Sequence, residues 1–290
     1  MTHTLDGTGV AIVTPFTKKG NVDVPALVAL TQHIVKGGVE YIVILGTTGE
    51  SVTLTKDEKQ LVINTICTTV KNKCKLVLGV GGNNTQEVID TIKSTDFTGI
   101  AAILSVSPYY NKPGQRGIIE HYKAIEKKCP LPIILYNVPG RTGQSMTPET
   151  ILTLANYSTK FTAVKEASGS VEQAMAILHK APKHFAVISG DDPLTLPMMA
   201  VGARGVISVA ANAYPKQVSD MVRLALKGTF DKASVLHYQL LTPTNLMFME
   251  GNPAGIKEFL HYQKITDNHV RLPLVTVGKE LSSKIKKALL

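Results

Sequence analysis

The 290-residue sequence has no tryptophan, only three cysteines and no apolar run long enough to cross a membrane. The cysteines, Cys67, Cys74 and Cys129, are not accompanied by histidines at metal-ligand spacing. We therefore expect reduced bystander thiols rather than disulfides or a zinc site. The amino-terminal residues lack the basic and apolar segments of a secretory signal. The sequence thus predicts a cytoplasmic protein without a membrane partner.

The chain is basic, with a formal net charge of +9. Such a charge suits either a nucleic-acid partner or an enzyme that handles anionic metabolites. Part of the excess lies near the carboxyl terminus, in a pattern typical of the solvated face of a last helix: Lys279, Lys284, Lys286 and Lys287. Because the basic runs are not interleaved with aromatic residues, a nucleic-acid partner is the weaker interpretation.

Short β-branched runs recur about every thirty residues, and each is followed by an amphipathic segment of helical period. The runs cover residues 10–16, 41–46, 75–80, 101–106, 132–138, 161–165, 185–190 and 205–209. Eight such units predict an α/β fold of the (β/α)8 TIM barrel type. After about residue 229 the alternation ends. We therefore expect a barrel domain over residues 1–229 and an all-helical domain over residues 230–290.

Several helix boundaries are marked by capping residues. A capping box, a threonine before proline and an aspartate before proline each predict a helix start. These pairs are Thr55 with Glu58, Thr147 with Pro148, and Asp192 with Pro193. An apolar period predicts a further helix over residues 26–35, which Gly37 and Gly38 should end.

Lys165 is the leading candidate for chemistry because it ends the apolar run of residues 161–165. Taking an ammonium group out of water costs several kcal/mol unless the group is paired or loses its proton. An unprotonated amine is the form that attacks a carbonyl group. The alternative is a lysine at a strand end whose stem packs and whose amine reaches solvent or a carboxylate.

Polar and aromatic residues stand at the carboxyl ends of all eight predicted strands, where the active site of a parallel barrel lies. They are Thr14, Thr47, Thr48, Asn83, Tyr109, Tyr110, Tyr136, Asn137, Lys165, Glu166, Gly190, Asp191 and Ser208. Any one of them alone is more simply a turn residue or a satisfied core hydroxyl. Their common position favours a functional rim.

Two loops suggest what this rim binds. Residues 46–51 combine glycines, hydroxyl groups and successive N–H groups that suit a small carboxylate, and the lysine of a phosphate-binding loop is missing. Arg141, in a tight loop after Tyr136, offers a two-pronged site for a second carboxylate, although a surface ion pair is as plausible. Tyr136 and Lys165 end neighbouring strands, and a phenol beside an amine can relay protons.

The chain resembles the dihydrodipicolinate synthase family of pyruvate-dependent Schiff-base (class I) aldolases. The resemblance covers nearly the whole chain, and its motifs occur in the family's order. They are GTTGES at 46–51, SPYYNKP at 107–113, YNVPGRTG at 136–143, VKEASG at 164–169, SGDD at 189–192, GVISVAAN at 205–212 and NPAGIK at 252–257. The resemblance implies condensation of pyruvate with L-aspartate 4-semialdehyde and requires no metal or organic cofactor.

The resemblance also implies a role for individual residues. Lys165 would form the imine with pyruvate, and Tyr136, Thr48 and Tyr110 would relay protons, with Tyr110 supplied by a partner subunit. The protein would then be a homo-oligomer, a dimer at least and usually a tetramer built as a dimer of dimers. Substrate-binding roles would fall to Thr47, Thr48, Arg141, Gly190 and Ile207.

Regulation is the one place where the chain departs from the family pattern. In relatives that lysine inhibits, the effector site uses positions that match Ser51, Val52, Asn83, Glu87 and Tyr109, with histidines at the positions of Lys56 and Lys59. Because lysines stand here in place of both histidines, a cationic effector would meet added positive charge. We expect feedback by L-lysine to be weak or absent.

Two other functions remain open on the sequence. Within the same fold, an N-acetylneuraminate lyase or a keto-deoxy sugar-acid aldolase shares the imine lysine and the tyrosine. Arg141 favours the semialdehyde, since it suits a carboxylate better than sugar hydroxyls. A different class is a barrel without catalysis that binds an anionic ligand or nucleic acid, for which the net charge of +9 would be the reason.

Overall fold

The computed structural model describes residues 5–290. Eight parallel strands follow one another in chain order in a closed barrel, which confirms the predicted fold class. The strands are β1 (Gly7–Ala11), β2 (Tyr41–Ile44), β3 (Lys75–Gly79), β4 (Ala102–Val106), β5 (Ile133–Asn137), β6 (Phe161–Glu166), β7 (Ala186–Ser189) and β8 (Gly205–Ser208). Each overlaps one of the eight predicted runs.

Helices alternate with the strands, and further helices follow the last strand. They are α1 (Val24–Lys36), α2 (Lys56–Val70), α3 (Thr85–Ser94), α4 (Gln115–Glu126), α5 (Pro139–Thr142), α6 (Pro148–Tyr157), α7 (Val171–Lys180), α8 (Thr195–Ala200), α9 (Pro215–Leu226), α10 (Phe230–Phe248), α11 (Ala254–Tyr262) and α12 (Lys279–Lys287). Among the described residues, no helix is long and apolar enough to cross a membrane.

The chain forms two compact units. One contains Leu76–Ile207 with Leu5 and Asp6, and the other contains Gly7–Lys75 and Ser208–Leu290. Strands β4 to β7 lie in the first unit, whereas β1, β2 and the carboxyl-terminal helices lie in the second. The proposed boundary between residues 229 and 230 stays a prediction, although α10 does begin at Phe230.

The capping signals predict most helix starts correctly. The Thr55 hydroxyl accepts from the Glu58 N–H, and the Glu58 carboxylate accepts from the Thr55 N–H, so the capping box is complete. Thr147 caps α6, whose first residue is Pro148. Helix α1 extends the predicted 26–35 range by two residues at its start and one at its end, and stops at Gly37.

Three predicted boundaries are wrong. Strand β1 ends at Ala11 rather than residue 16, because the Asn212 side chain takes the Ala11 C=O and the Val13 N–H, and Phe16 forms an antiparallel bridge with Val22. Helix α8 begins at Thr195 rather than at Pro193, since residues 191–194 form a turn around the Asp191 carboxylate.

The third error concerns the carboxyl-terminal part, which was expected to contain only helices. Residues 263–278 form an irregular segment between α11 and α12. The Arg271 side chain anchors this segment by donating to the C=O groups of Gly20 and Thr53 and to the Glu58 carboxylate. These bonds take the place of a helical backbone, and Pro273 cannot donate one.

Candidate active site

The side chains of Lys165 and Tyr136 meet at the ends of β6 and β5. The two residues are directly opposite one another in the parallel register. The Lys165 Nζ lies 4.4 Å from the centroid of the Tyr136 ring, and Lys165 is only 6% exposed. The structure therefore places an amine beside a phenol and away from bulk water, which is the arrangement that imine chemistry needs.

Gly190, which follows β7, provides the space that the Lys165 side chain occupies. A Cβ atom at position 190 would lie 3.0 Å from both Cγ and Cε of Lys165 and 2.6 Å from the Cβ of Ala167. The Gly190 N–H donates to the Glu166 C=O at 2.7 Å, so the backbone approaches β6 closely. A side chain here would move the lysine.

A buried carboxylate fixes the ends of the same two strands. Glu166 is 1% exposed and accepts from the Asn137 side chain, the Gln173 side chain and the Ser168 N–H at 2.7–3.2 Å. The Asn137 carbonyl in turn accepts from the Met146 N–H at 2.9 Å. Because Asn137 and Glu166 adjoin Tyr136 and Lys165 in sequence, this network holds the amine and the phenol in register.

Arg141 lies on the short helix α5, which begins directly after the segment that carries Tyr136. The Arg141 side chain is exposed. The helix ends at Gly143, whose φ of 73° is left-handed, and the Thr142 hydroxyl donates to the Gln144 C=O at 2.7 Å. The tight loop predicted from the sequence is thus present, and it leaves the guanidinium group accessible.

The loop after β4 presents an aromatic side chain outward. Tyr110 is 88% exposed and has a left-handed φ of 71°, which is uncommon for a residue other than glycine. Tyr109 beside it is half-buried, and the Asn111 side chain donates to the Asn83 C=O at 3.1 Å. Glu87 is exposed near the start of α3. Among these predicted residues, the structure joins the loop of Tyr109 and Tyr110 to Asn83.

The second compact unit carries the two threonines of the 46–51 loop. Thr47 is exposed, whereas Thr48 is 3% exposed. The Thr48 hydroxyl accepts a hydrogen bond from the Asn252 side chain at 2.9 Å. The Thr14 hydroxyl donates to the Gly49 C=O at 2.7 Å and supports the turn from below. Thr14, a predicted rim residue, is therefore a structural support for the loop.

The same loop contains a buried ion pair that the sequence did not reveal. Lys257 and Glu50 are 0% and 1% exposed, and the Lys257 Nζ lies 2.5 Å from the Glu50 Oε1. The Lys257 amine also donates to the His269 C=O at 2.8 Å and lies 4.3 Å from the Phe16 ring centroid. The second Glu50 oxygen accepts from the Arg271 N–H at 3.0 Å.

Lys257 is thus a second buried lysine, and burial lowers its pKa to about 8. By this criterion alone it would be a candidate nucleophile. Its amine, however, is fully enclosed and committed to Glu50 and the His269 carbonyl, so no substrate carbonyl can approach it. We therefore assign it a structural role.

The remaining predicted residues lie near the ends of β7 and β8 and after β2. Ile207 is 1% exposed, and the Ser208 hydroxyl accepts from the Ala211 N–H at 2.8 Å. Burial raises the pKa of Asp191. Ser51 is half-buried, while Val52 and Lys56 are exposed at the start of α2 and before it. Across residues 5–290, no three histidine, cysteine or acidic side chains form a group that could hold a metal ion.

Sequence reasoning assigned no role to Asn252, Lys257, Glu50 or Gln173. Two of them were visible in the NPAGIK motif and one in GTTGES. Their partners stand up to 207 residues apart in sequence, so a motif on its own does not reveal the pairing.

Comparison with known proteins places these motifs in one family. The family model for the dihydrodipicolinate synthetase family matches residues 4–290. The 4-hydroxy-tetrahydrodipicolinate synthase of Flavobacterium psychrophilum is 50% identical over 96% of this chain and 95% of its own length. That of Parabacteroides distasonis is 49% identical over 98% and 96%.

Solved structures agree with these relatives. The chloride-inhibited dihydrodipicolinate synthase of Acinetobacter baumannii in complex with pyruvate matches with a TM-score of 0.95 and 37% identity, over 98% of this chain and 97% of that one. The enzyme of Cyanidioschyzon merolae with lysine bound matches at 0.94 and 36%, over 99% and 98%. A monomeric dihydrodipicolinate synthase variant matches at 0.95 and 33%, over 98% and 96%.

The expectation of an enzyme is confirmed by the names of these relatives, and a barrel without catalysis is no longer needed to explain the chain. The family match spans all but the first three residues. The chain belongs to the dihydrodipicolinate synthetase family.

Proposed function

We propose that the protein condenses pyruvate with L-aspartate 4-semialdehyde to give 4-hydroxy-2,3,4,5-tetrahydrodipicolinate, in the biosynthesis of diaminopimelate and lysine. The observation that carries the proposal is the buried Lys165 amine 4.4 Å from the Tyr136 ring, in a chain whose curated relatives bear this enzyme's name. The Acinetobacter baumannii relative with bound pyruvate supports the choice of the first substrate.

The chemistry begins with attack of the unprotonated Lys165 amine on the keto carbon of pyruvate. The carbinolamine that forms loses water and becomes a protonated imine. This cation withdraws electrons, so the methyl carbon of the pyruvate unit gives up a proton and the resulting enamine attacks the aldehyde carbon. The amino group of the second substrate then displaces Lys165 and closes the ring, which returns the free enzyme.

Each proton transfer in this sequence needs a donor or acceptor close to the imine. We assign these transfers to Tyr136, Thr48 and Tyr110. Tyr136 is supported by its contact with Lys165 and Thr48 by its buried hydroxyl group. Tyr110 is 88% exposed in the single chain, as expected of a residue that is contributed to a partner subunit.

Substrate binding is assigned by the charge and shape of the groups. Thr47 and Thr48 would hold the pyruvate carboxylate with hydroxyl and N–H groups, and Gly190 and Ile207 would line the site with main-chain groups. Arg141 would hold the carboxylate of the semialdehyde, because its accessible guanidinium group matches a carboxylate in a two-pronged geometry. The sugar-acid aldolases remain the alternative, since their substrate offers hydroxyl groups instead.

The assembly and location follow from the same proposal. A Tyr110 that serves a neighbouring site requires at least a dimer, and we propose a homotetramer in the cytoplasm. The monomeric variant among the structural relatives shows that assembly varies in this family. Tetramer formation and location stay predictions.

A turnover assay tests the activity and the choice of substrate. With pyruvate in excess, we expect turnover with L-aspartate 4-semialdehyde at least about 100-fold faster than with sugar aldehydes, because only the former has a carboxylate for Arg141. The Lys165→Ala variant should lose turnover entirely. Equal or faster reaction with N-acetylmannosamine or a simple sugar aldehyde would contradict the assignment.

The close contact of Gly190 with the reactive lysine gives a second test. The Gly190→Ala substitution should lower kcat about 100-fold, because a displacement of about 1 Å at a reacting group has an effect of that size. Gly114→Ala is the matched control, since a Cβ atom there meets nothing within 4 Å. Both variants should be checked by thermal melting. A Gly190→Ala protein that is folded and fully active would show that this contact does not position Lys165.

Regulation by L-lysine is the third test. We expect less than half inhibition at about 1 mM L-lysine, because Lys56 and Lys59 add positive charge where inhibited relatives have histidines. The double substitution Lys56→His with Lys59→His should increase inhibition, while Lys71→His on the same helix's far end should not. Half inhibition of the unmodified protein well below 1 mM would contradict the expectation.

A further inference from the structure

The hydroxyl group of Thr48 has a fixed hydrogen-bond donor on its own unit of the molecule. The donor is the Nδ2 of Asn252, which lies 2.9 Å from the Thr48 Oγ1. Asn252 stands just before α11 and is 204 residues away in sequence. Thr48 and Asn252 are 3% and 8% exposed, so water competes little for this bond.

The chemistry of the two groups decides the direction of the bond. A hydroxyl group has one hydrogen to donate and two lone pairs to accept with, whereas an amide NH2 only donates. The Thr48 oxygen therefore accepts from Asn252, and the hydrogen of its own hydroxyl group must point elsewhere. A threonine hydroxyl without such a neighbour rotates freely among three positions.

A second bond from the same segment fixes the loop that carries Thr48. Lys257, on α11, pairs with Glu50 at 2.5 Å inside the protein. Glu50 has a left-handed φ of 52° and ψ of 35°, so the backbone two residues after Thr48 is held in a conformation that is unfavourable for a glutamate. Removing one partner of such a buried pair costs about 3–5 kcal/mol. The loop is thus tied at two points to the start of α11.

We propose that Asn252 is a positioning residue, which holds Thr48 with its hydroxyl hydrogen directed away from position 252 and available for donation during catalysis. The inference rests on the proposed function, because it gives Thr48 a part in proton transfer. The Lys257 and Glu50 pair keeps the loop backbone in place, and Asn252 sets the direction of the proton. The reaction would therefore depend on a side chain that does not contact substrate.

A double-mutant cycle between Asn252 and Thr48 tests this dependence. In the unmodified background, Asn252→Ala should lower kcat at least about 10-fold, because a positioned proton donor contributes about 100-fold or more. In a Thr48→Val background, the same substitution should change kcat less than about 2-fold, since no hydroxyl remains to be directed. A purely structural role would produce the same loss in both backgrounds.

The near-isosteric Asn252→Asp variant gives an independent readout and replaces Asn252→Ala if that protein does not fold. A carboxylate at position 252 accepts the Thr48 hydrogen, so the hydroxyl would turn the wrong way, whereas a protonated carboxyl group can donate again. Relative to the unmodified protein, its kcat should therefore rise as the pH falls from 8 to 6, and this pH dependence should vanish when Thr48 is valine.

Asn268→Ala serves as the matched control. Asn268 lies in the same unit and donates its side-chain N–H to the Glu258 carboxylate at 2.6 Å, without a bond to the 46–51 loop. Its loss should leave kcat within about 2-fold of the unmodified protein. Additive losses from Asn252 and Thr48 substitutions, or full activity of Asn252→Ala, would overturn the inference. An unmodified protein without turnover of pyruvate and the semialdehyde would instead contradict the proposed function.

Discussion

The contact between the Lys165 amine and the Tyr136 ring is the interaction on which the account depends. It requires that β5 and β6 be neighbours in the barrel and that the two residues share a register position, as they do. Glu166 and Asn137 secure that register through a buried hydrogen-bond network, and Gly190 leaves space for the lysine stem. Three separate features of the sequence thus serve one amine.

Burial alone does not identify the reactive lysine in this protein. Lys257 is more deeply buried than Lys165, and burial lowers its pKa. The difference lies in the partners of the two amines. Lys257 is compensated by a carboxylate at 2.5 Å, while Lys165 faces an aromatic ring and lies at a strand end, where the carbonyl of a small substrate can reach it. A buried charge with a partner stabilises structure, and a buried amine beside a proton donor suits chemistry.

Much of the fold could be predicted because its signals are local. The β-branched runs gave the eight strands, and the capping box at Thr55 and Glu58 gave the start of α2. Prediction was poorer where distant side chains decide the structure. The Asn212 side chain ends β1 early, and Arg271 holds an irregular segment where helix was expected.

The same distinction holds for the candidate site. Lys165, Tyr136 and Arg141 are recognisable because each stands at or just after a strand end in a sequence whose strands are clear. Asn252 and Glu50 are recognisable only from their contacts, because their partners are more than two hundred residues away. Sequence patterns show which residues can react, and the folded chain shows which residues hold them in position.

Trapping the imine with pyruvate and borohydride, followed by peptide mass mapping, tests the central claim most directly. Borohydride reduces the imine to a stable secondary amine, so the modified lysine carries the mass of the reduced pyruvate unit. The account predicts that this mass appears on the peptide that contains Lys165 and only when pyruvate is present. Modification of Lys257 instead, or no modification at all, would contradict it.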